Sequence, residues 1–306
     1  MTTTSTIARS LALLAFLAVP LAAQDRRDRD RDRDEYETRI DTTVALDRNA
    51  TVELSLVSGE IIVTAGGTGQ AHVRAYSEHG DLQLQASPMR LSLSVHSRRG
   101  RMGDTRYEVT VPVGTRLLLR STSGDITARG VRGEVEAHTT SGDLQVEGGA
   151  TRITLESVSG DVRAEQLDGT VRVNAVSGDV ALGQVTGEIE VETVSGEITM
   201  TDARSKWVRT ETTSGDLEYH GTIDPAGRYD FTSHSGEITL TVPPDAGGTL
   251  NVETFSGSIE SDFPMTIQPN GQNSDGRPKR MQFTFGNGNA RISVETFSGD
   301  IRIEKR

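Results

Sequence analysis

The chain has 306 residues, of which 34% are hydrophobic and only 4% aromatic, with 32 glycines, so its core must be built from Val, Ile, Leu and Ala rather than from rings. There is no cysteine, which excludes a disulfide scaffold, a thiolate metal site, a cysteine nucleophile and a lipidated N-terminal cysteine. The net charge of −12 argues against a nucleic-acid partner, because phosphate binding needs clustered Lys and Arg.

Residues 1–23 carry one charged side chain, Arg9, followed by an apolar run at 11–23 that Pro20 interrupts and that ends in Ala22 and Ala23. A basic start, a short apolar stretch and a small-residue end predict a secretory signal peptide. A buried helix is the alternative. The run of 13 residues is too short to span a bilayer, which needs about 20. No later stretch is predicted to cross a membrane as a helix. Residues 24–38 are predicted to be a charged linker, since DRRDRDRDRDE at 25–35 has no apolar side chain to bury. A tether to lipid or polysaccharide is the other reading, weakened by the near-neutral alternation of its charges.

Residues 39–120 form an N-terminal β region of antiparallel character. Alternating apolar residues (Val52, Leu54, Leu56; Leu82, Leu84; Leu91, Leu93, Val95) predict half-buried strands without regular spacing. A hairpin-based sandwich is the rival architecture there, and 98–104 is predicted to be a flexible hairpin tip.

From 121 to 306 the chain repeats. Ser-Gly-Asp or a close variant recurs with its glycine at Gly124, Gly142, Gly160, Gly178, Gly196, Gly215, Gly236, Gly257 and Gly299, and the first four intervals are each 18 residues. An earlier copy is Ser58-Gly59-Glu60. Apolar residues follow each glycine with period two, as in Val162, Ala164, Leu167, Val171 and Val173 after Gly160. A small residue closes each unit: Thr139, Ser157, Ala175, Thr193. Such a unit cannot bury its own apolar face, so neighbours must stack. The prediction is an all-β fold, a parallel β-helix or solenoid of roughly 18–21-residue coils, each rising about 4.8 Å. Residues 262–280, rich in Pro, Gly, Asn and Asp, are predicted to be an inserted loop, with 281–285 and 290–294 forming a hairpin before the last turn.

The repeated TTSGDL, SVSGDV, AVSGDV and TVSGEI segments resemble a bacterial candidate-adhesin family of β-strand-repeat proteins of unknown function. YEVTVP at 107–112, EITLTVP at 237–243 and ETFSGDI at 295–301 are similar to that family too, and the likeness covers about 40–306. The resemblance implies an exported β-helix on or near the cell envelope. It brings no catalytic residues.

The acid after each glycine (Asp125, Asp143, Asp161, Asp179, Glu197, Asp216, Glu237, Asp300) would stack into one ladder. A calcium array needs six to eight oxygens converging on a point, and one carboxylate per coil is too few. Hydrogen bonds from Ser and Asp side chains to turn amides explain the ladder better, with glycine supplying positive φ. A polysaccharide-cleaving carboxylate should break the repeat, yet nearly all acids obey it. The six histidines show no metal-ligand spacing. Neither a cofactor nor a metal is expected. The repeat does break between Gly196 and Gly236, where Trp207, Tyr219 and Tyr229 are the candidate ligand-contact aromatics, with core or bulge filling as their plainer role. Phe255 and Phe297, each just before Ser-Gly, are predicted to pack in wider coils.

These observations predict an exported, non-catalytic binding or adhesion-type module. Its expected partner is an envelope polysaccharide or a surface or membrane protein. A structural or regulatory envelope component is the alternative, and a polysaccharide-active enzyme the remote one.

Overall fold

The computed structural model describes residues 38–97, 103–263, 279–286 and 289–306. The predicted export segment, the charged linker except residue 38, residues 98–102 of the predicted 98–104 tip and most of the 262–280 insertion lie outside the described residues. Residues 38–306 belong to one compact unit. Every regular element described is a strand, and all 23 share one sheet.

In chain order the strands begin with β1 (Thr38–Ala45), β2 (Thr51–Ala65), β3 (Gln70–Ser77), β4 (Gly80–Ser87), β5 (Arg90–Ser97), β6 (Thr105–Val111) and β7 (Arg116–Val131). The regular repeats supply β8 (Val135–Ser141), β9 (Leu144–Gly148), β10 (Ala150–Ser159), β11 (Val162–Glu165), β12 (Asp168–Ser177), β13 (Val180–Gly183) and β14 (Thr186–Ser195). Longer coils follow with β15 (Ile198–Ser214), β16 (Leu217–Gly221), β17 (Arg228–Ser235), β18 (Ile238–Val242), β19 (Gly248–Ser256) and β20 (Ile259–Ser261). The chain ends with β21 (Lys279–Phe285), β22 (Ala290–Ser298) and β23 (Ile301–Lys305).

The parallel strands stack in two columns, one before and one after the Ser-Gly corner. Before it, Ile153 pairs with Val171 and Val171 with Ile189. After it, Val162 pairs with Val180 and Val180 with Ile198. Inward positions from neighbouring rungs therefore lie over one another, and Val162, Ala164, Leu167, Val171 and Val173 are all buried. Each buried aliphatic side chain contributes about 1.5–3 kcal/mol of apolar burial, which a lone unit could not achieve.

Three features differ from the sequence expectation. β2 bends through Gly59 and pairs in parallel along its length with β7, so it is already a full coil, and the division drawn at 120/121 falls inside β7. β5 and β6 are not the two arms of a hairpin: both pair in parallel with β2, one in each column, and so lie on one rung. Nor do 281–285 and 290–294 form a hairpin. β22 lies parallel between β17 and β19, and β21 pairs antiparallel with β19. The C-terminal coil has thus inserted between two earlier ones, and the corner glycines stack in the order Gly236, Gly299, Gly257.

Antiparallel strands close the ends. β4 pairs with β5, β3 with β6 and β1 with β3 at one end, and β21 with β19 at the other. Strands of reversed direction, like the three-residue β20, blunt the edge that a parallel stack would otherwise offer to another chain.

Candidate functional site

The corner sets the geometry of the outer surface. At Gly160 the backbone adopts φ +133°, and a Cβ there would sit 2.2 Å from the carbonyl oxygen of Gly142 in the rung below. Glycine is therefore required twice, for its conformation and for the close approach of rung to rung. The corner serine joins the ladder through its backbone: the carbonyl of Ser177 accepts from the Gly160 N–H at 3.2 Å.

The acid after the glycine reaches across rungs. Asp143 Oδ1 accepts the Asp161 N–H at 3.0 Å, and Asp161 Oδ1 accepts the Asp179 N–H at 3.1 Å. Asp125, Asp179 and Asp216 do the same for Asp143, Glu197 and Glu237. The two glutamates turn elsewhere: Glu197 and Glu237 accept from Thr199 and Thr239 two residues on, and Glu237 also from Arg302 on the neighbouring rung. Their extra methylene takes the carboxylate past the neighbouring amide. Asp300 accepts both the backbone N–H and the hydroxyl of Ser258, at 2.7 and 2.9 Å, and the backbone bond above all holds its carboxyl below the ordinary carboxylate range. Among the described residues no three His, Asp or Glu side chains group to hold a metal ion.

Trp207, Tyr219 and Tyr229 do not form a shared surface. Tyr219 and Tyr229 are wholly buried and pack edge to face at 6.2 Å, with Phe231 5.3 Å from Tyr219. Their reading as ligand contacts is corrected, because this coil is longer and the rings fill its wider interior. The Tyr229 hydroxyl donates to Ser205 O at 2.6 Å and accepts from the Asp224 N–H at 2.7 Å, while Tyr219 donates to Thr222 O at 3.0 Å. Burial raises both hydroxyl pKa values. Trp207 alone is half-exposed, and it pairs with Glu188 across a β-bulge in which Lys206 is the extra residue. That bulge absorbs the added residue and returns Val208 and Thr210 to the core.

The continuous outer feature is the position before each Ser-Gly. Flanking pairs such as Ser157–Ala175 and Ser159–Ser177 set Val158 beside Val176, and the same register continues through Val194, Thr213, His234, Phe297 and Phe255. Val158, Val176, Val194, Phe255 and Phe297 are between 42% and 51% exposed, so they are a surface row and not core. Phe255 stacks on Phe297 and Phe297 on His234, with centroids 5.0 Å apart in both pairs and planes within 2° and 8° of parallel. The expected packing of Phe255 and Phe297 occurs, but on the outer face. Beside this row runs a column of carboxylates, and Glu211, Glu253 and Glu295 line the same open groove of about 520 Å³ as His234, Phe297 and Phe255. Val158, Val176 and Val194 do carry a signal in the sequence: each is large, apolar and, by strand parity, outward.

The model of a family described as Toastrack DUF4097 matches residues 111–224 and 170–304. Among solved structures the chain is similar to a lipid-binding candidate from Parabacteroides distasonis, 11% identical, covering 88% of this chain and 97% of that one with a TM-score of 0.50. It is also similar to an adhesin candidate from Bacteroides fragilis, 14% identical, covering 87% and 97% with a TM-score of 0.44. At such identities the likeness concerns the fold. No curated protein matches the chain. Among the described residues no helix is long and apolar enough to cross a membrane.

Proposed function

Since the chain belongs to the Toastrack DUF4097 family, we propose that it acts as an exported, non-catalytic binding module of the cell envelope. The observation that carries this reading is the outward row from Val158 to Phe255, one side chain per rung on a backbone held by parallel ladders. Soluble proteins rarely leave clusters of large apolar side chains on the surface unless something covers them, and here Val158, Val176 and Val194 form one exposed run and Phe297 and Phe255 another, with Thr213 and His234 between. The names of the adhesin-type and lipid-binding structural neighbours agree with a binding role. The repeat's aspartates are mostly engaged in capping amides, which gives them a structural purpose without a reaction. Export rests on the segment at 1–23, whose deletion should retain the protein in the cytoplasm.

The test is a whole-cell and glycan binding screen of the mature protein, comparing wild type with Phe255→Ser/Phe297→Ser and Trp207→Ala. Binding that the phenylalanine pair abolishes and Trp207→Ala leaves near wild type is the expected result. Absence of binding by the wild-type chain, or binding indifferent to the row, contradicts the proposal.

A further inference from the structure

We infer that the apolar row and the carboxylate column beside it form a docking strip for a cationic amphipathic helix of a partner protein. The inference rests on the binding-module reading and names the chemistry of its ligand. The row spans seven rungs, or about 29 Å at about 4.8 Å per rung, which matches a helix of roughly 19 residues. The strip is divided lengthwise. Apolar side chains and ring edges run along one side, and the neighbouring column reads Glu156, Asn174, Glu192, Glu211, Thr232, Glu295, Glu253 by strand register, five carboxylates on seven rungs, with Glu211 also 3.5 Å from Arg209. An amphipathic helix has the same lengthwise division, apolar on one side and Lys or Arg along its flank, whereas an extended peptide alternates faces.

The other occupants fit less well. Pyranose rings stack on aromatic faces, and here the parallel rings turn their faces to one another and their edges outward. An anionic lipid surface or acidic glycan would meet the glutamate column. Two copies of this chain, each of net charge −12, would bring like charges together along the strip.

The test uses the full mature chain and a fluorescein-labelled 19-residue Leu–Lys peptide with a helical apolar face, with a Leu–Glu counterpart, read by fluorescence anisotropy at low and high salt. The Leu–Lys peptide should bind and the Leu–Glu peptide should not. Phe255→Ser/Phe297→Ser, and separately Val176→Thr/Val194→Thr, should each weaken binding at least tenfold while keeping the wild-type circular dichroism. Glu211→Gln/Glu295→Gln should weaken it and flatten its salt dependence, while Glu147→Gln/Glu165→Gln, in the other column, should leave it unchanged. No binding, binding indifferent to the row, or equal loss in the Glu147/Glu165 control overturns the inference. So does dimerisation in analytical ultracentrifugation that the phenylalanine pair abolishes. The same proteins are applied to whole cells. Cell binding that depends on the row without peptide binding sinks the helix and leaves the module standing. Wild-type protein that binds no cells sinks the module whatever the peptide does.

Discussion

At Gly160 two constraints coincide on one atom that is missing. A side chain there would be held at φ +133° and would collide with the Gly142 carbonyl, whereas Asp161 stands at the surface with one oxygen on the Asp179 amide. Gly160→Val should therefore cost about 3 kcal/mol or more, because the backbone of the next rung must move. Asp161→Ala removes one cap and should cost on the order of 1 kcal/mol. Asp161→Asn keeps the accepting oxygen but loses the exposed pair with Arg163, and should cost no more than about 0.5 kcal/mol. Chemical denaturation of the three variants checks that order, and a severe Asp161→Asn beside a mild Gly160→Val would return the acid to a functional role. Asp300 adds a pH dependence with a definite sign. Its pKa is lower folded than unfolded, so its contribution is present above the ordinary carboxylate range and is lost as pH falls through the folded value. Asp300→Asn should flatten the acid-side decline of Tm, and an unchanged acid limb would show that the Ser258 bonds contribute nothing. Since the aspartates cap amides singly, a chelator should shift the Tm by no more than about 1 °C, and a rise that scales with calcium concentration would contradict this.

The long coil at 215–236 shows how an element accommodates extra residues. Its added length lies at the second corner, where the turn around Asp224 to Gly227 widens the interior. Tyr219, Tyr229 and Phe231 fill that width, and the Tyr229 hydroxyl satisfies Ser205 O and the Asp224 N–H. Tyr229→Phe leaves both backbone groups without that partner and should cost about 1–3 kcal/mol by chemical denaturation. A neutral substitution would mean that the hydroxyl is incidental. The break in the repeat points to this coil, but strand parity places Trp207 inward when counted from Gly196 and outward when counted from Gly215. Only the bulge at Lys206 resolves the two counts, and a bulge leaves no local mark in composition. Tyr219 and Tyr229 were misread because a ring filling a wider coil and a ring awaiting a ligand break the repeat in the same way. The regular coils were legible because an 18-residue interval forces one register, and in that register every inward position is apolar or small. Positions that face outward obey no such rule, so the row from Val158 to Phe255 could be seen only once the rungs were stacked.

For the molecule as a whole, order along the stack is not order along the chain. The 42-residue interval from Gly257 to Gly299 is predicted to hold an inserted loop and a hairpin ahead of the last turn, whereas β22 and β23 enter between β17–β18 and β19–β20. That insertion makes the aromatic end of the outer row, since Phe297 can stack on His234 and Phe255 together only from the middle rung. Cross-linking tests it most directly, and the absence of native cysteine makes the readout clean. Thr232 and Glu295 are register partners on adjacent rungs, as are Glu295 and Glu253, whereas Thr232 and Glu253 lie two rungs apart, about 9.6 Å. A disulfide closes only when the Cα atoms lie about 4.4–6.8 Å apart. Under mild oxidation, Thr232→Cys/Glu295→Cys should cross-link readily and Thr232→Cys/Glu253→Cys should stay reduced. Rapid closure of the Thr232/Glu253 pair with none for Thr232/Glu295 would mean that the rungs follow chain order and that the aromatic row does not exist as described.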